Sequence, residues 1–333
     1  MLISTMAVPA VQDLIKKSFV KEVMRPGGDV RQIFHKETGD WSVDRKRVQE
    51  MDRERFAEQK VQGETSVQKG VAEGYYKEII RKTISVTRLV SGEAYKALTA
   101  HKLAEYATST ASDVVGKIEL DMRNFIGKIG TSFVDNGGFT INTTTGDGQD
   151  VFDTGHTLKN SSTTYSNILS GAPSFSETAL ESAEDFFSYN VMDNYGMRIK
   201  MKPNTIITSP AATMVNRVAR LLGSSSPEAI EGTGNSNAGV KNTYKGKYKH
   251  LVVDFDVTAL DVADSTLKFF WYLAALGGMP ETSFQAYYVS WLSPMVATPE
   301  INQDKWILSY TGRAAYGIGA VSGKGILVSQ ATS

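Results

Sequence analysis

The side chains that most often hold metals or transfer protons are few in this sequence and widely separated. The four histidines are His35, His101, His156 and His250, and no two have the HxH or HxxxH spacing of a local zinc site. The chain of 333 residues has no cysteine, which excludes disulfide bonds, cysteine-ligated zinc, iron–sulfur clusters and a catalytic thiol. We predict no metal, no cofactor and no catalytic residue.

Three aspartates form the densest acidic cluster. Asp147, Asp150 and Asp153 lie in the order D-G-Q-D-V-F-D, which does not place oxygen ligands at the positions of the twelve-residue calcium loop. Aspartate side chains in turns accept hydrogen bonds from nearby backbone amides. We therefore predict that these residues form turns.

The glycine and serine motifs do not match those of nucleotide-binding proteins or hydrolases. Residues 317–325 read GIGAVSGKG, but the spacing differs from a phosphate loop, and Gly325 stands where a serine or threonine would hold magnesium. The sequence contains no G-x-S-x-G, the signature of many Ser-His-Asp hydrolases. Neither pattern supports an enzyme.

The charges are balanced over the whole chain and unbalanced along it. Thirty-six basic and 36 acidic residues give a net charge of zero, which argues against a polycationic nucleic-acid binder. Residues 131–190 carry eight acidic residues and one basic one, whereas residues 191–250 carry three acidic and nine basic ones. Residues 244–249, YKGKYK, could contact phosphates, but a solvated loop beside an acidic neighbour is the favoured interpretation.

The first ninety residues predict a helix, a charged arm and a strand. Apolar residues within 8–24 share one helical face, which could dock on a partner or membrane surface or pack on its own domain. Residues 40–60 are rich in charges of alternating sign and poor in apolar side chains, as expected of a flexible segment or an arm ordered by a neighbouring molecule. The alternation in 82–89 predicts a strand returning from that arm.

A long helix follows, and after it a region of predicted loops, helices and strands. Apolar residues recur at steps of three or four over 93–129, which predicts one helix of about seven turns. Residues 135–171 and 223–247 are polar loops, the first with a short hairpin. Ser174 and Glu177 have capping-box spacing, and Ser209 is a predicted N-cap followed by a proline. The predicted strands are 204–208, 250–257, 267–275, 284–292 and 306–321.

The serial order of these features resembles the major capsid proteins of tailed phages with the HK97-like fold. The resemblance covers most of the chain, and it is carried by the order of the segments more than by any one motif. The segments are GYYKEII (74–80), VTRLVSGEAY (86–95), VFDTGH (151–156), KPNTIITSP (202–210), FWYLA (270–274) and RAAYGIG (313–319).

The resemblance implies an α+β fold with five regions. These are an N-terminal arm (1–34), an extended E-loop with adjoining P-domain strands (35–88), a P-domain spine helix (89–134), an A-domain with polar loops (135–298) and C-terminal strands of the P- and A-domains (299–333). Arms that reach across neighbours would account for the charged, core-poor segment, because other copies would satisfy its backbone.

The implied function is a structural one. The chain would assemble with itself, as pentamers and hexamers, into an icosahedral shell around double-stranded viral DNA, which it would contact weakly and without sequence preference. A portal protein would be a further partner, and scaffold or decoration proteins could join it. The location would be the virion, after assembly in the host cytoplasm, with no membrane partner. The alternatives are an encapsulin-type compartment with an enzyme cargo and an α/β enzyme with an unrecognised site.

Two processing steps of the family are not expected here. Some members cross-link a lysine to an asparagine of another subunit with help from a glutamate. The arm contains Lys60, Lys69 and Lys77, and Asn302 lies late in the chain, but no matching environment is evident. Only about 35 residues precede the arm, which is short for a built-in scaffold, so we expect a separate scaffold protein or none.

Overall fold

The computed structural model describes most of the chain. The described residues are 7–23, 29–53, 71–91, 100–128, 130–223, 242–258, 263–279, 282–296, 300–302 and 307–332. Within these ranges, no helix is both long enough and apolar enough to cross a bilayer. Helices and strands share the same cores, so the α+β class is confirmed.

The helices and strands are numbered in chain order. The helices are α1 (Ala7–Val23), α2 (Ala100–Gly127), α3 (Glu177–Asp185) and α4 (Ala212–Gly223), with a 3-10 helix (Asp29–Ile33) and a π-helix (Phe186–Asn190). The strands are β1 (His35–Thr38), β2 (Arg45–Arg53), β3 (Val71–Ile80), β4 (Lys82–Ser91), β5 (Ser132–Val134), β6 (Thr140–Asn142), β7 (His156–Leu158), β8 (Ser161–Tyr165), β9 (Thr205–Thr208), β10 (Lys249–Val252), β11 (Trp271–Ala274), β12 (Ala286–Val296), β13 (Glu300–Asn302), β14 (Ile307–Ala320) and β15 (Ile326–Ser329).

A five-stranded sheet packs on the two longest helices. Its order is β1-β12-β14-β13, and β4 pairs with β14 along the edge opposite β12 and β13. The buried stripe of α2 contacts one face of the sheet, where Ile118 and Phe125 share a core with Tyr316. In α1, Ile15 and Phe19 are fully buried against α2 and β14. Of the two interpretations of α1, packing on its own domain is confirmed.

A four-stranded sheet with the order β10-β9-β11-β15 forms the second layer. Strands β9 and β10 are parallel and α4 lies between them in the chain, whereas β11 and β15 are antiparallel neighbours. One face of this sheet packs on α3 and α4. The other face shares the core of α2 through residues such as Ile207 and Tyr272. Every residue of β9, β11 and β15 is buried, and the face that packs on α2 joins this sheet to the first one.

Three antiparallel pairs lie outside these sheets. Among the described strands, β2 and β3 pair only with each other, and we call them the ribbon. The pairs β5–β6 and β7–β8 form short hairpins in the polar region where the sequence predicted a loop with a hairpin. The predicted strand at 82–89 corresponds to β4, and the predicted long helix corresponds to α2, while residues 93–99 lie outside the described residues.

The later elements match the predictions in kind and differ at their ends. The strand predicted at 204–208 is β9, and the strands predicted at 250–257 and 267–275 are shortened to β10 and β11. The helix cap at α3 is Ser176, whose side chain accepts from the Ala179 amide, so the capping assignment to Ser174 was wrong. Helix α4 begins at Ala212, two residues later than the Ser209 cap predicts, although the Ser209 hydroxyl accepts from the Ala211 amide at 3.4 Å and donates to the Lys268 carbonyl.

Candidate functional site

The histidines are tied into separate parts of the fold. His35 Nε2 lies 3.0 Å from Ser283 Oγ, and His250 Nε2 lies 2.9 Å from Thr208 Oγ1. The side chain of His101 lies outside the described residues. Within the described part of the chain, no three histidine or acidic side chains are grouped in a way that could hold a metal ion.

Asp147 and the fourth histidine, His156, form a buried pair. His156 Nδ1 lies 3.0 Å from Asp147 Oδ2, which also accepts from the Thr157 amide at 3.1 Å. Burial raises the pKa of the Asp147 carboxyl, but hydrogen bonds from His156 and Thr145 outweigh it and bring the pKa below its usual value. The His156 ring stacks on Tyr165, with 4.9 Å between centroids. This pair closes the loop between β6 and β7.

The turn prediction for the aspartates is confirmed at two of the three positions. Asp147 accepts from the Gln149 amide at 3.2 Å, and Asp153 accepts from the Gly155 amide at 2.7 Å. Asp150 instead has a buried carboxylate oxygen without a hydrogen-bond partner, and burial raises its pKa. The cluster therefore shapes a loop.

The glycine-rich segment 317–325 is buried structure. A Cβ on Gly317 would lie 2.6 Å from Ile79, and one on Gly319 would lie 2.9 Å from the same side chain, so glycine lets the ribbon lie directly on β14. Lys324, which a phosphate loop would present to a nucleotide, is 3% exposed and its Nζ lies 2.9 Å from Glu50 Oε1. The Lys324 ammonium therefore forms an ion pair inside the protein.

The basic loop before β10 lies beside an acidic neighbour, as the favoured interpretation predicted. Lys247 Nζ lies 2.7 Å from both carboxylate oxygens of Glu184 on α3. The Tyr248 hydroxyl donates to the same carboxylate, and burial raises the pKa of that hydroxyl. This lysine is therefore paired with a carboxylate of its own chain.

The ribbon has one side that faces solvent. Its outer side carries an Arg45–Glu78 ion pair of 3.0 Å, and the Arg47 guanidinium lies 3.9 Å from the Tyr76 ring centroid. Large apolar side chains at its base leave about half of their surface in solvent, namely Trp41 (54%), Val43 (48%) and Ile80 (50%). The exposed side of the ribbon and the turn before it thus combine charged and apolar side chains.

Lysines join the inner side of the ribbon to the body. Lys159 Nζ lies 2.9 Å from the carbonyl oxygens of both Glu73 and Gly74. Lys77 Nζ lies 2.9 Å from Asn142 Oδ1, and burial lowers the pKa of Lys77 to about 8.

Among the cross-link candidates, Lys77 is therefore bonded within its own chain. Lys60, Lys69 and the side chain of Asn302 lie outside the described residues.

A buried ion network was missed by the sequence analysis. Lys82 Nζ on β4 lies 2.6 Å from Asp121 Oδ2 on α2 and also pairs with Asp135. Lys117 contacts both carboxylates, at 3.0 and 3.2 Å. One signal was available, because Asp121 follows Ile118 by three residues and therefore lies on the apolar stripe of the helix.

Comparison with solved structures relates the fold to phage capsids. The mature capsid of bacteriophage PhiM1 matches with a TM-score of 0.50 at 8% identity, over 92% of this chain and 87% of that one. The capsid of cyanophage P-SCSP1u matches with a TM-score of 0.50 at 8% identity, over 89% of this chain and 85% of that one. No protein-family model matches the sequence, and no curated protein is significantly similar to it.

The fold is thus that of a phage capsid protein, and the resemblance inferred from the order of segments is confirmed at the level of the fold.

Proposed function

We propose that this chain is the major capsid protein of a tailed phage, which assembles with itself into an icosahedral shell around double-stranded DNA. The observation that carries the proposal is the fold. Two solved phage capsids match it over about nine-tenths of this chain. Because these similarities are at 8% identity, they concern the fold, and the assembly is our inference from it.

The five regions of an HK97-like subunit are part of the proposal. Residues 35–88 would supply the E-loop, to which the ribbon belongs, and residues 89–134 the spine helix, to which the 28 residues of α2 belong. Residues 135–298 would form the A-domain around the four-stranded sheet. The N-terminal arm (1–34) and the C-terminal strands (299–333) complete the subunit.

The exposed surfaces support assembly with other copies. Strand β4 is an edge of its sheet, ten residues long, and Leu89 on its outer face is 66% exposed. Natural proteins usually cover or charge such an edge, because unpaired backbone groups recruit other strands. Contacts between unlike patches of identical subunits close into a finite shell when symmetry allows it. Repetition of weak contacts then makes the shell stable.

The further partners follow from the same proposal. DNA inside the shell would be held by weak, salt-sensitive contacts, because the subunit has no net charge. A portal protein would occupy one vertex, and scaffold or decoration proteins could join it. The particle would form in the host cytoplasm and become the virion.

Electron microscopy of particles formed by the purified chain, with measurement of their nucleic-acid content, tests the function. Closed icosahedral shells, and DNA-filled heads in infected cells, are the expected result. DNA-free shells that retain an enzyme cargo would identify an encapsulin-type compartment instead. A discrete small oligomer under all assembly conditions would contradict both and favour the enzyme alternative.

A further inference from the structure

The two strands of the ribbon are not in continuous register. Gln49 pairs with Tyr76 and Met51 pairs with Glu73, so Glu50 alone stands opposite two residues of β3. This is a β-bulge, a feature that bends a ribbon and re-aims side chains. Gly74 belongs to the bulge, and a Cβ there would lie 2.7 Å from the carbonyl oxygen of Glu50.

The bulge accompanies an inward-facing carboxylate in an otherwise solvated charged segment. Glu50 is 7% exposed, and its Oε1 accepts from Lys324 Nζ at 2.9 Å. Its Oε2 accepts from Asn194 Nδ2 at 2.9 Å, and Asn194 is fully buried. Three segments that are far apart in the chain therefore meet at one buried carboxylate.

The glycines on either side of Lys324 let the backbone pass close to neighbouring residues and so place the Lys324 Cα in the interior. A Cβ on Gly323 would lie 2.6 Å from His156 Nε2, and a Cβ on Gly325 would lie 2.6 Å from the Phe284 amide nitrogen. Gly325 also has a φ of +83°, a conformation that other residues adopt at a cost. The glycine–lysine–glycine sequence, which is not a nucleotide loop, thus gives the lysine its buried position.

We propose that Glu50 and Lys324 are positioning residues that fix the direction in which the ribbon leaves the subunit. Moving the ribbon away from the body would leave a buried charge unpaired on each side, which is far more costly than breaking an exposed pair. The exposed Arg45–Glu78 pair of the same ribbon offers no such restraint. The consequence for shell formation rests on the proposed function, whereas the restraint itself is a property of the single subunit.

Hydrogen exchange of the unassembled subunit tests the restraint. Glu50→Gln should accelerate exchange of the β2 and β3 amides on the order of 100-fold, because it breaks a buried ion pair to the body, and a two-stranded ribbon released from the body is only marginally stable. The matched control is Glu78→Gln, which alters an exposed pair of the same ribbon and should leave exchange unchanged. Amides of β9 and β11 should exchange at the wild-type rate in both variants.

A double-mutant cycle separates a direct restraint from general damage. Glu50→Gln with Lys324→Met removes both charges, so the double variant should exchange more slowly than the two single effects predict when combined. Additive effects, equal exchange in the Glu50 and Glu78 variants, or a uniform rise that includes β9 and β11 would each overturn the positioning role.

Shell formation distinguishes this inference from the proposed function. We expect Glu50→Gln to lower the yield of closed shells about tenfold relative to Glu78→Gln, because a ribbon of altered direction misses its neighbour. A wild-type chain that forms no shells would overturn the proposed function but not the exchange comparison. Wild-type yield from Glu50→Gln would overturn the role of the restraint in assembly.

Discussion

Lys82 on β4 and Asp121 on α2 form an ion pair inside the subunit, with 2.6 Å between Nζ and Oδ2. Their side chains are 7% and 1% exposed. Asp121 Oδ2 also accepts from the Tyr316 hydroxyl on β14, so one carboxylate joins the edge strand, the central strand and the long helix. Substitution of either residue should therefore destabilise the packing of the sheet on the helix.

Asp121→Asn should lower the free energy of unfolding by about 3–5 kcal/mol, because it leaves the Lys82 ammonium buried without its full counter-charge. Chemical denaturation followed by circular dichroism measures this change. The Arg88–Asp113 pair joins the same strand and helix but is 45% and 42% exposed, which makes it a matched control.

Asp113→Asn should therefore cost no more than about 1 kcal/mol. Equal losses in the two variants would show that burial of the Lys82 pair contributes nothing.

The stability of the subunit should depend on pH through Lys77. Burial lowers its pKa from 10.5 to about 8, so between these values the unfolded chain binds the proton more readily than the folded one. Stability attributable to Lys77 therefore rises with pH across this window, by at most about 1.4 kcal/mol per pH unit.

The measurement is the difference in unfolding free energy between wild type and Lys77→Met at several pH values. The difference should shift in favour of wild type from pH 8 to 10 and stay flat from pH 5 to 7, where the lysine is charged in both states. A flat difference throughout would contradict the burial of this ammonium group.

Local patterns predicted the elements well because their causes are local. The apolar stripe of α2 was visible in the sequence, since residues such as Val114, Ile118 and Phe125 recur with the helical period. Alternation in β4 and the short apolar run of β9 also identified strands. Element ends were less predictable, because a side chain such as Ser209 bonds both a local amide, that of Ala211, and a distant carbonyl, that of Lys268.

The buried charges could not be predicted because their partners are distant in the chain. Glu50 lies in a segment of alternating charges, where a solvated face is the expected state, and its partner Lys324 is 274 positions away. Lys324 lies in the segment that was compared with a phosphate loop and did not match one, and the sequence indicated no other role for it. Periodicity identifies which face of an element is apolar, but it does not identify which charged side chain is buried.

Two glycines should respond in opposite ways to alanine. At Gly317, an added Cβ would lie 2.6 Å from both the Ile79 side chain and the Ile80 carbonyl oxygen, so Gly317→Ala should destabilise the subunit by about 1–3 kcal/mol. At Gly116 in the middle of α2, a Cβ would meet nothing within 4 Å. Gly116→Ala should therefore stabilise the subunit by about 0.5–1 kcal/mol.

Thermal and chemical unfolding of both variants measure these changes. The same sign for both would mean that contact with the ribbon does not limit the size of the residue at 317.

The outer face of β4 should matter for assembly and not for the folding of the subunit. Leu89 is 66% exposed, so Leu89→Thr, which introduces a β-branched residue that strands favour, should change the unfolding free energy by no more than about 0.5 kcal/mol. Under the proposed function, a neighbouring copy covers this apolar side chain, and its loss weakens a contact that is repeated at every subunit of a shell. The fraction of protein that sediments as particles should therefore fall.

The matched control is Ser85→Thr, which alters an exposed side chain on the same face of the same strand without removing apolar surface. It should sediment like wild type. Unchanged sedimentation of Leu89→Thr would show that this face remains in solvent within the shell, and the contacts between copies would then have to be sought at the ribbon.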